Sequence, residues 1–332
     1  MSSAQDSPPP AVRRAGVERF DAPAADFEAL RSAPVAAPID EFGVIEARGP
    51  DAVTFLQSQL TNDVAQLDEA GVQLNGYCTA KGRLLAVFTA WRDAEAVYLQ
   101  LPREILPGVL KRLSMFVLRA KAKLSDVSDA WRCTAVFGNG SAAALDAFGA
   151  AALAPWQAVA KDAVRVLRLA DAPSAGSRFL VIARSTPGLR TTRVSSAAWW
   201  WTQADAAVPD VFAATQEAFV PQMINLEVLG GVSFRKGCYP GQEVVARSQY
   251  LGKLRRRMSV AQTTGLARIG DDVHDAGGVP VGKIVLAAGG PDGTSSVLLE
   301  CPVDRLAAPL HTGQGAALLL RALPYELHDV TA

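Results

Sequence analysis

The alternation and periodicity of apolar positions divide the chain into recognisable elements. "FGVIEARG" alternates as a strand does and ends at Gly49, and Pro50 then suits the first turn of a helix. In the segment that follows, Val53, Leu56, Leu60 and Val64 recur at helical spacing, which predicts one helix with a buried face. Residues 72–101 read as strands punctuated by Asn75-Gly76, Lys81-Gly82 and Asp93, the pattern of an antiparallel meander. "PREILPGVLKRLSMFVLRAKAKLSD" reads as a helix returning to a strand at 121–124. From Trp131 to about Ser196 the order is strand, helix, strand, strand, helix, which predicts a small ferredoxin-like α+β unit. Beyond Met258, short β-type runs separated by "AGG", "GGPDG" and "HTGQG" predict a compact barrel or sandwich ending near "RALPYEL".

The first 35 residues, rich in Pro, Ala and Ser, lack the apolar core of a signal peptide and are expected to form a flexible tail, disordered or loosely docked. No apolar run reaches the roughly 18 residues of a membrane span, so a cytoplasmic chain with no membrane partner is expected. Lys plus Arg equal Asp plus Glu at 33 each. No global field therefore draws the molecule to nucleic acid or to an anionic surface, and any anion site must be local. The four cysteines are far apart, include no CxxC pair and accompany only three histidines. That spacing argues against an intrachain metal site and suits a reducing compartment.

The stretch "LGGVSFRKGCYPGQEVVARSQYL" carries the densest chemistry. Its glycines permit close backbone approach, Pro240-Gly241 fits the centre of a type II turn, and "GQEVVARSQYL" is able to start a helix. Cys238 would then lie beside a helix N-terminus with Arg235 and Lys236 near in sequence, features that favour thiolate over thiol. The competing reading is a small buried hydrophobe, which free cysteine commonly is and which Cys78, Cys133 and Cys301, in strand-like runs, are expected to be. Lys253, Arg255, Arg256 and Arg257 form a basic cluster with two readings, a holder of carboxylate, phosphate or RNA, or a solvated strand. Three adjacent indoles, Trp199 to Trp201, cannot all face one core, so at least one is expected at a cavity or interface.

"KGCYPGQE" at 236–243 resembles the signature of the YgfZ-type folate-binding family, relatives of the glycine-cleavage T-protein aminomethyltransferases. "GPDAVTFLQSQLTNDV", "AKGRL", "LRAKAKLSD", "PQMINLEVLGGVSF" and "RALPYEL" match weaker family segments in the family's order, over 40–330. The resemblance implies an α+β, three-domain ring around a folate-sized cavity, with a ferredoxin-like middle domain and a C-terminal β-barrel. The divisions expected are a tail at 1–35, a discontinuous folate-binding domain at 36–127 and 200–255, a ferredoxin-like domain at 128–199 and a barrel at 256–332.

For the site, the resemblance implies tetrahydrofolate or a derivative as cofactor. Trp199 and Phe42 fall where family aromatics lie against the folate, Asp205 falls where T-proteins carry a pterin-binding glutamate, and Gln203 replaces a T-protein arginine. Gly237, Tyr239, Gln242 and Arg247 of the signature segment complete the expected pocket, with Cys238, Lys236 and Glu243 as its reactive edge. Thr79 replaces an aspartate of the usual "DAKGR". Where T-proteins have an aspartate pair, one member essential to amine transfer, "GRLLAVF" presents Ala86 and Val87, so no carboxylate is available for that proton transfer. An active aminomethyltransferase is thus not expected. The reading favoured is a monomeric, folate-binding accessory protein for iron–sulfur assembly or repair, and through it tRNA modification, whose partners are folate and iron–sulfur proteins or their assembly factors. The alternatives are a one-carbon transferase using Glu243 or Lys236, and an RNA- or protein-binding module built on Arg247 and the basic cluster, with weak RNA contact.

Overall fold

The computed structural model describes residues 19–185, 187–250 and 254–327. Part of the expected loose tail is firmly built in. Strand β1 (Phe20–Asp21) runs parallel beside a barrel strand, helix α1 (Ala24–Ser32) buries Phe27 and Leu30, and strand β2 (Pro34–Pro38) joins the middle sheet. Apolar anchors explain this: Phe20, Phe27, Leu30, Val35 and Ala37 are buried in a segment whose composition otherwise reads as disorder. Residues 1–18 lie outside the described residues.

The first unit contains β3 (Phe42–Arg48), α2 (Ala52–Gln57), β4 (Gln73–Cys78), β5 (Leu84–Arg92), β6 (Ala96–Pro102), α3 (Leu106–Met115) and β7 (Lys123–Asp126). Its sheet has the antiparallel order β4-β5-β6-β3-β7. The alternation along β5 sends Ala86 and Phe88 into a core shared with α2 and α3, and Val87 and Trp91 into the larger cluster at the centre of the molecule. Two expectations shift. The helix stops at Gln57, and Leu60 forms an isolated bridge to Tyr77, while Leu60 and Val64 stay buried. Asn75-Gly76 is not a turn but the middle of β4. A Cβ at Gly76 would stand 3.0 Å from Thr61 Oγ1, and Asn75 Oδ1 accepts the Asn62 N–H at 3.2 Å, so this pair lets the 60–62 segment lie against the strand.

The middle unit adds β8 (Arg132–Gly138), α4 (Ser141–Ala144), β9 (Ala158–Lys161), β10 (Val164–Arg168), β11 (Phe179–Ala183) and β12 (Thr192–Arg193). Its sheet order is β12-β2-β8-β11-β10-β9, so β2, from before the first unit, completes it. The helix expected after β8 is only one turn of α-helix and a 3-10 turn, divided at Leu145. Next come α5 (Ser196–Asp205) and α6 (Gln242–Tyr250), then β13 (Arg256–Thr263), β14 (Asp272–Asp275), β15 (Pro280–Gly289), β16 (Ser295–Pro302), β17 (Leu310–Thr312) and β18 (Ala317–Arg321). These last six close into an antiparallel barrel, β15-β14-β17-β18-β13-β16 and back to β15.

Helix α5 packs on β1, β2, β8, β15 and β16, so it joins the barrel to the middle sheet. The segment from 221 to 231 is tied to the barrel by side chains. Asn225, in the left-handed region at φ 56°, donates to Met258 O at 2.9 Å. Arg257 forms a buried ion pair with Glu227 and donates to Gln222 O at 3.1 Å. Removing one member of such a pair strands a buried charge. Glu227→Gln is expected to lower stability by about 3 kcal/mol in urea unfolding, and the double replacement Glu227→Leu/Arg257→Met to recover most of that loss.

Candidate functional site

The signature loop is held from two sides. Lys236 is buried, and its ammonium donates to Leu60 O at 2.6 Å and to Gln57 O, carbonyls at and just beyond the end of α2. It also lies over the Tyr239 ring, 5.3 Å from the centroid. Burial pulls this lysine down to about 8, against a smaller upward pull from Asp63. Lys236 therefore fastens the loop to α2, and the acid–base group expected there is committed to carbonyls.

On the other side, Tyr239 O accepts the Gln242 N–H at 3.1 Å and Gly241 has φ 83°, as a type II turn about Pro240-Gly241 requires. A Cβ at Gly241 would meet Thr79 O at 2.5 Å and the Gly82 backbone at 2.6 Å, so the turn sits backbone to backbone on the β4–β5 hairpin. The preceding Gly230-Gly231 pair is bound by the "LTND" segment. Thr61 Oγ1 donates to Gly231 O at 2.6 Å, and Asn62 Nδ2 donates to Gly230 O at 2.7 Å. Three separated motifs thus form one platform.

Cys238 rises from this platform as the exposed member of the four cysteines. Burial pushes Cys78 and Cys133 up to about 12 and Cys301 up to about 11, as packed thiols require. Gly237 beside Cys238 is exposed, Tyr239 is buried with its hydroxyl unpartnered, and Gln242 opens α6 half-buried. Burial raises the Tyr239 phenol above its ordinary value. Glu243 and Arg247 point outward from α6.

The residues expected around folate separate into two groups. Trp199 is fully buried, with Phe137 edge-on at 5.7 Å and the Arg178 guanidinium 4.1 Å from its ring centroid. Half-buried Phe42 neighbours Trp200 instead, at 4.9 Å, and Trp200 stacks on Phe20 at 4.4 Å. The indoles therefore do divide between surroundings, although all three are buried at interfaces between units. Gln203 accepts from Arg178 and donates to Asp210 Oδ2 at 3.1 Å. Asp205 Oδ2 accepts the Ser174 N–H at 2.8 Å, while Oδ1 faces Arg321 at 3.1 Å.

Sequence reasoning missed Arg178, Asp210 and Arg321. Asp210, a lone acid in the apolar run "VPDVF", was the available signal, and burial raises it to about 7 against the Gln203 hydrogen bond and the Arg178 charge. Burial likewise lowers Arg178 to about 9, against the attraction of Asp205, Asp210 and Asp171. At the position of the missing T-protein aspartates, Ala86 and Val87 are buried and apolar.

The basic cluster disperses. Arg256 pairs with Glu300 and Arg257 with Glu227, which leaves Arg255 exposed, and Lys253 lies outside the described residues. No grouping of three His, Cys, Asp or Glu able to hold a metal occurs among the described residues. Three buried polar atoms of α5 are left without hydrogen-bond partners. Asp205 Oδ1 lacks a hydrogen bond despite its ion pair, and the indole N–H groups of Trp199 and Trp200 are buried without partners.

The fold defined by these units is that of the glycine-cleavage T-protein. A crystal structure of glycine cleavage system aminomethyltransferase T from Bartonella henselae superposes with a TM-score of 0.73 over 91% of this chain and 88% of that one, at 16% identity. The model of the GCVT N-terminal domain matches residues 11–185. Proteins named tRNA-modifying protein YgfZ are 31% identical in Colwellia psychrerythraea, over 66% of this chain and 69% of the relative, and 30% in Photorhabdus laumondii, over 71% and 74%. One from Klebsiella pneumoniae is 32% identical over 66% and 69%. The chain belongs to the GCVT family, in its YgfZ branch.

The lysine clamp has a pH signature. Lys236 ordinarily holds its proton to 10.5, whereas in the fold it releases it near 8. Between those values the unfolded chain binds more protons, so this group's contribution to stability rises with pH across that window. Lys236→Met is expected to unfold about 1–3 kcal/mol more easily near neutral pH because two carbonyls lose their donor. The difference between its urea curves and those of the unaltered protein is expected to widen from pH 8 toward 10.5.

Proposed function

We propose that this chain is a folate-binding accessory protein with a role in tRNA modification, exercised through assembly or repair of iron–sulfur enzymes, and that Cys238 is its working thiol. The observation that carries this reading is the exposed thiol on a loop clamped by Lys236 on one side and by Gly241 on the other. A side chain that served packing alone would be buried, as the three other thiols largely are. The name of the relatives, tRNA-modifying protein, supports the tRNA connection and a cytoplasmic setting, and the T-protein fold supports a tetrahydrofolate-type cofactor. Asp205 would accept the N–H groups of the pterin head and the indoles of α5 would supply donors, and folate would bring its capacity to carry one-carbon units.

Aminomethyl transfer is disfavoured by Ala86 and Val87, buried apolar side chains at the position where the T-protein resemblance calls for a carboxylate. No other described group is positioned to replace it on the same strand. Glu243 is exposed on α6 and Lys236 is bonded to carbonyls.

The test is complementation. In a strain lacking its own copy, the unaltered protein is expected to restore modified nucleosides in bulk tRNA, and Cys238→Ser to fail while binding tetrahydrofolate normally in calorimetry. Full restoration by Cys238→Ser would remove the thiol from the mechanism, and absence of tetrahydrofolate binding by the unaltered protein would remove the cofactor.

A further inference from the structure

Trp199 and Asp205, the two groups of α5 that the folate reading gives to the ligand head, are both engaged by arginines of this chain. Over Trp199 lies Arg178, fully buried, donating from Nε to Thr202 Oγ1 at 3.0 Å, from Nη1 to Ala170 O at 3.3 Å and from Nη2 to Gln203. At Asp205, Arg321 Nη2 stands 3.1 Å from Oδ1. A guanidinium is planar and delocalised and presents N–H donors in a fixed fork. The 2-amino-pyrimidinone edge of a reduced pterin is a cyclic guanidine, with the same planar shape and the same adjacent donors.

We propose that Arg321 stands in for the ligand head at Asp205 in the ligand-free chain and is the competitor a folate displaces from that carboxylate, while Arg178 keeps its place over Trp199. Arg321 is then a specificity-determining residue of the site. A ligand head gains the carboxylate only if it replaces the guanidinium with N–H donors of its own. The inference rests on the folate reading above.

The two arginines differ in how readily they leave. Arg178 has three acceptors and no exposure, so moving it would strand a buried cation. Arg321 ends the last barrel strand with 41% of its side chain exposed, and its ion pair reaches an oxygen that makes no hydrogen bond. A half-exposed pair of this kind is weak and its cation is readily rehydrated. Asp205 would remain in place after the exchange, because Oδ2 is held by the Ser174 N–H. Ser174 also lines an open cleft of about 380 Å³ bounded by Leu30, Gly138, Ser141 and Ser177.

The test is anaerobic calorimetry of the full chain and Arg321→Ala with two probes, tetrahydrofolate and 6-methyltetrahydropterin, which has the head without the glutamyl tail. Arg321→Ala is expected to bind both about fivefold more tightly, the worth of the released ion pair. Adding Asp205→Asn is expected to abolish that gain. Unchanged affinity overturns the proposal. So does weaker binding of tetrahydrofolate with unchanged binding of the pterin, which would make Arg321 a partner of the glutamyl carboxylates. Lack of binding by the unaltered protein and the variant alike overturns the folate reading, and this inference with it. Arg321→Gln serves as a second variant should Arg321→Ala melt at a lower temperature, and the same outcomes apply to it.

Discussion

A helix in a globular protein usually turns one face to water, and α5 turns none: every residue from Ala197 to Asp205 is buried. Such a helix must be enclosed on all sides, and no single unit of this chain is large enough to do it. Trp199 goes to the middle sheet through Phe137, Trp200 goes to Phe20, Phe42 and Phe212, and Trp201 goes to Phe27. Three indoles withdrawn from water are worth on the order of 5 kcal/mol apiece by area. The meeting of the units is therefore strongly favoured, and α5 is the element they meet on.

Enclosure creates an obligation for the polar residues of the same helix. Thr202, Gln203 and Asp205 cannot reach water, so each must find a partner inside. Arg178 supplies donors to the first two, and Ser174 and Arg321 attend the third. The cost is visible in the shifts of the charged members, Arg178 downward and Asp210 upward, both caused by burial. A buried network of this kind is stable only while its members are satisfied.

Much of this was legible in the sequence, for identifiable reasons. The meander, the barrel strands and the Pro240-Gly241 turn rest on local patterns, alternation or a positive-φ glycine, and local patterns survive folding. The failures were of tertiary origin. Asn75-Gly76 carries turn chemistry, yet it lies in a strand because Thr61 needs the missing Cβ. The basic run at 255–257 was open to two readings, an anion-binding face or a solvated strand, and neither foresaw that Arg256 and Arg257, on opposite faces of β13, would each find an acid. The tail read as disordered because its Pro and Ala content masks a few apolar anchors. Arg178 and Arg321 were illegible because their importance comes from long-range neighbours, 24 residues away at Thr202 in the first case.

The signature loop shows how a cysteine can be held at the surface by anchors on either side of it. Its lysine was expected to act on the thiol, but a buried ammonium needs acceptors more than a nearby thiol needs a proton partner. The carbonyls at the end of α2 provide those acceptors, and the type II turn provides the second anchor where Gly241 meets Gly82. Between Lys236 and Gly241 only residues 237–240 remain, and the Tyr239 ring is buried beneath the lysine. The short span leaves the cysteine side chain facing solvent. Exposure on a loop anchored at both ends is what distinguishes Cys238 from the other three thiols.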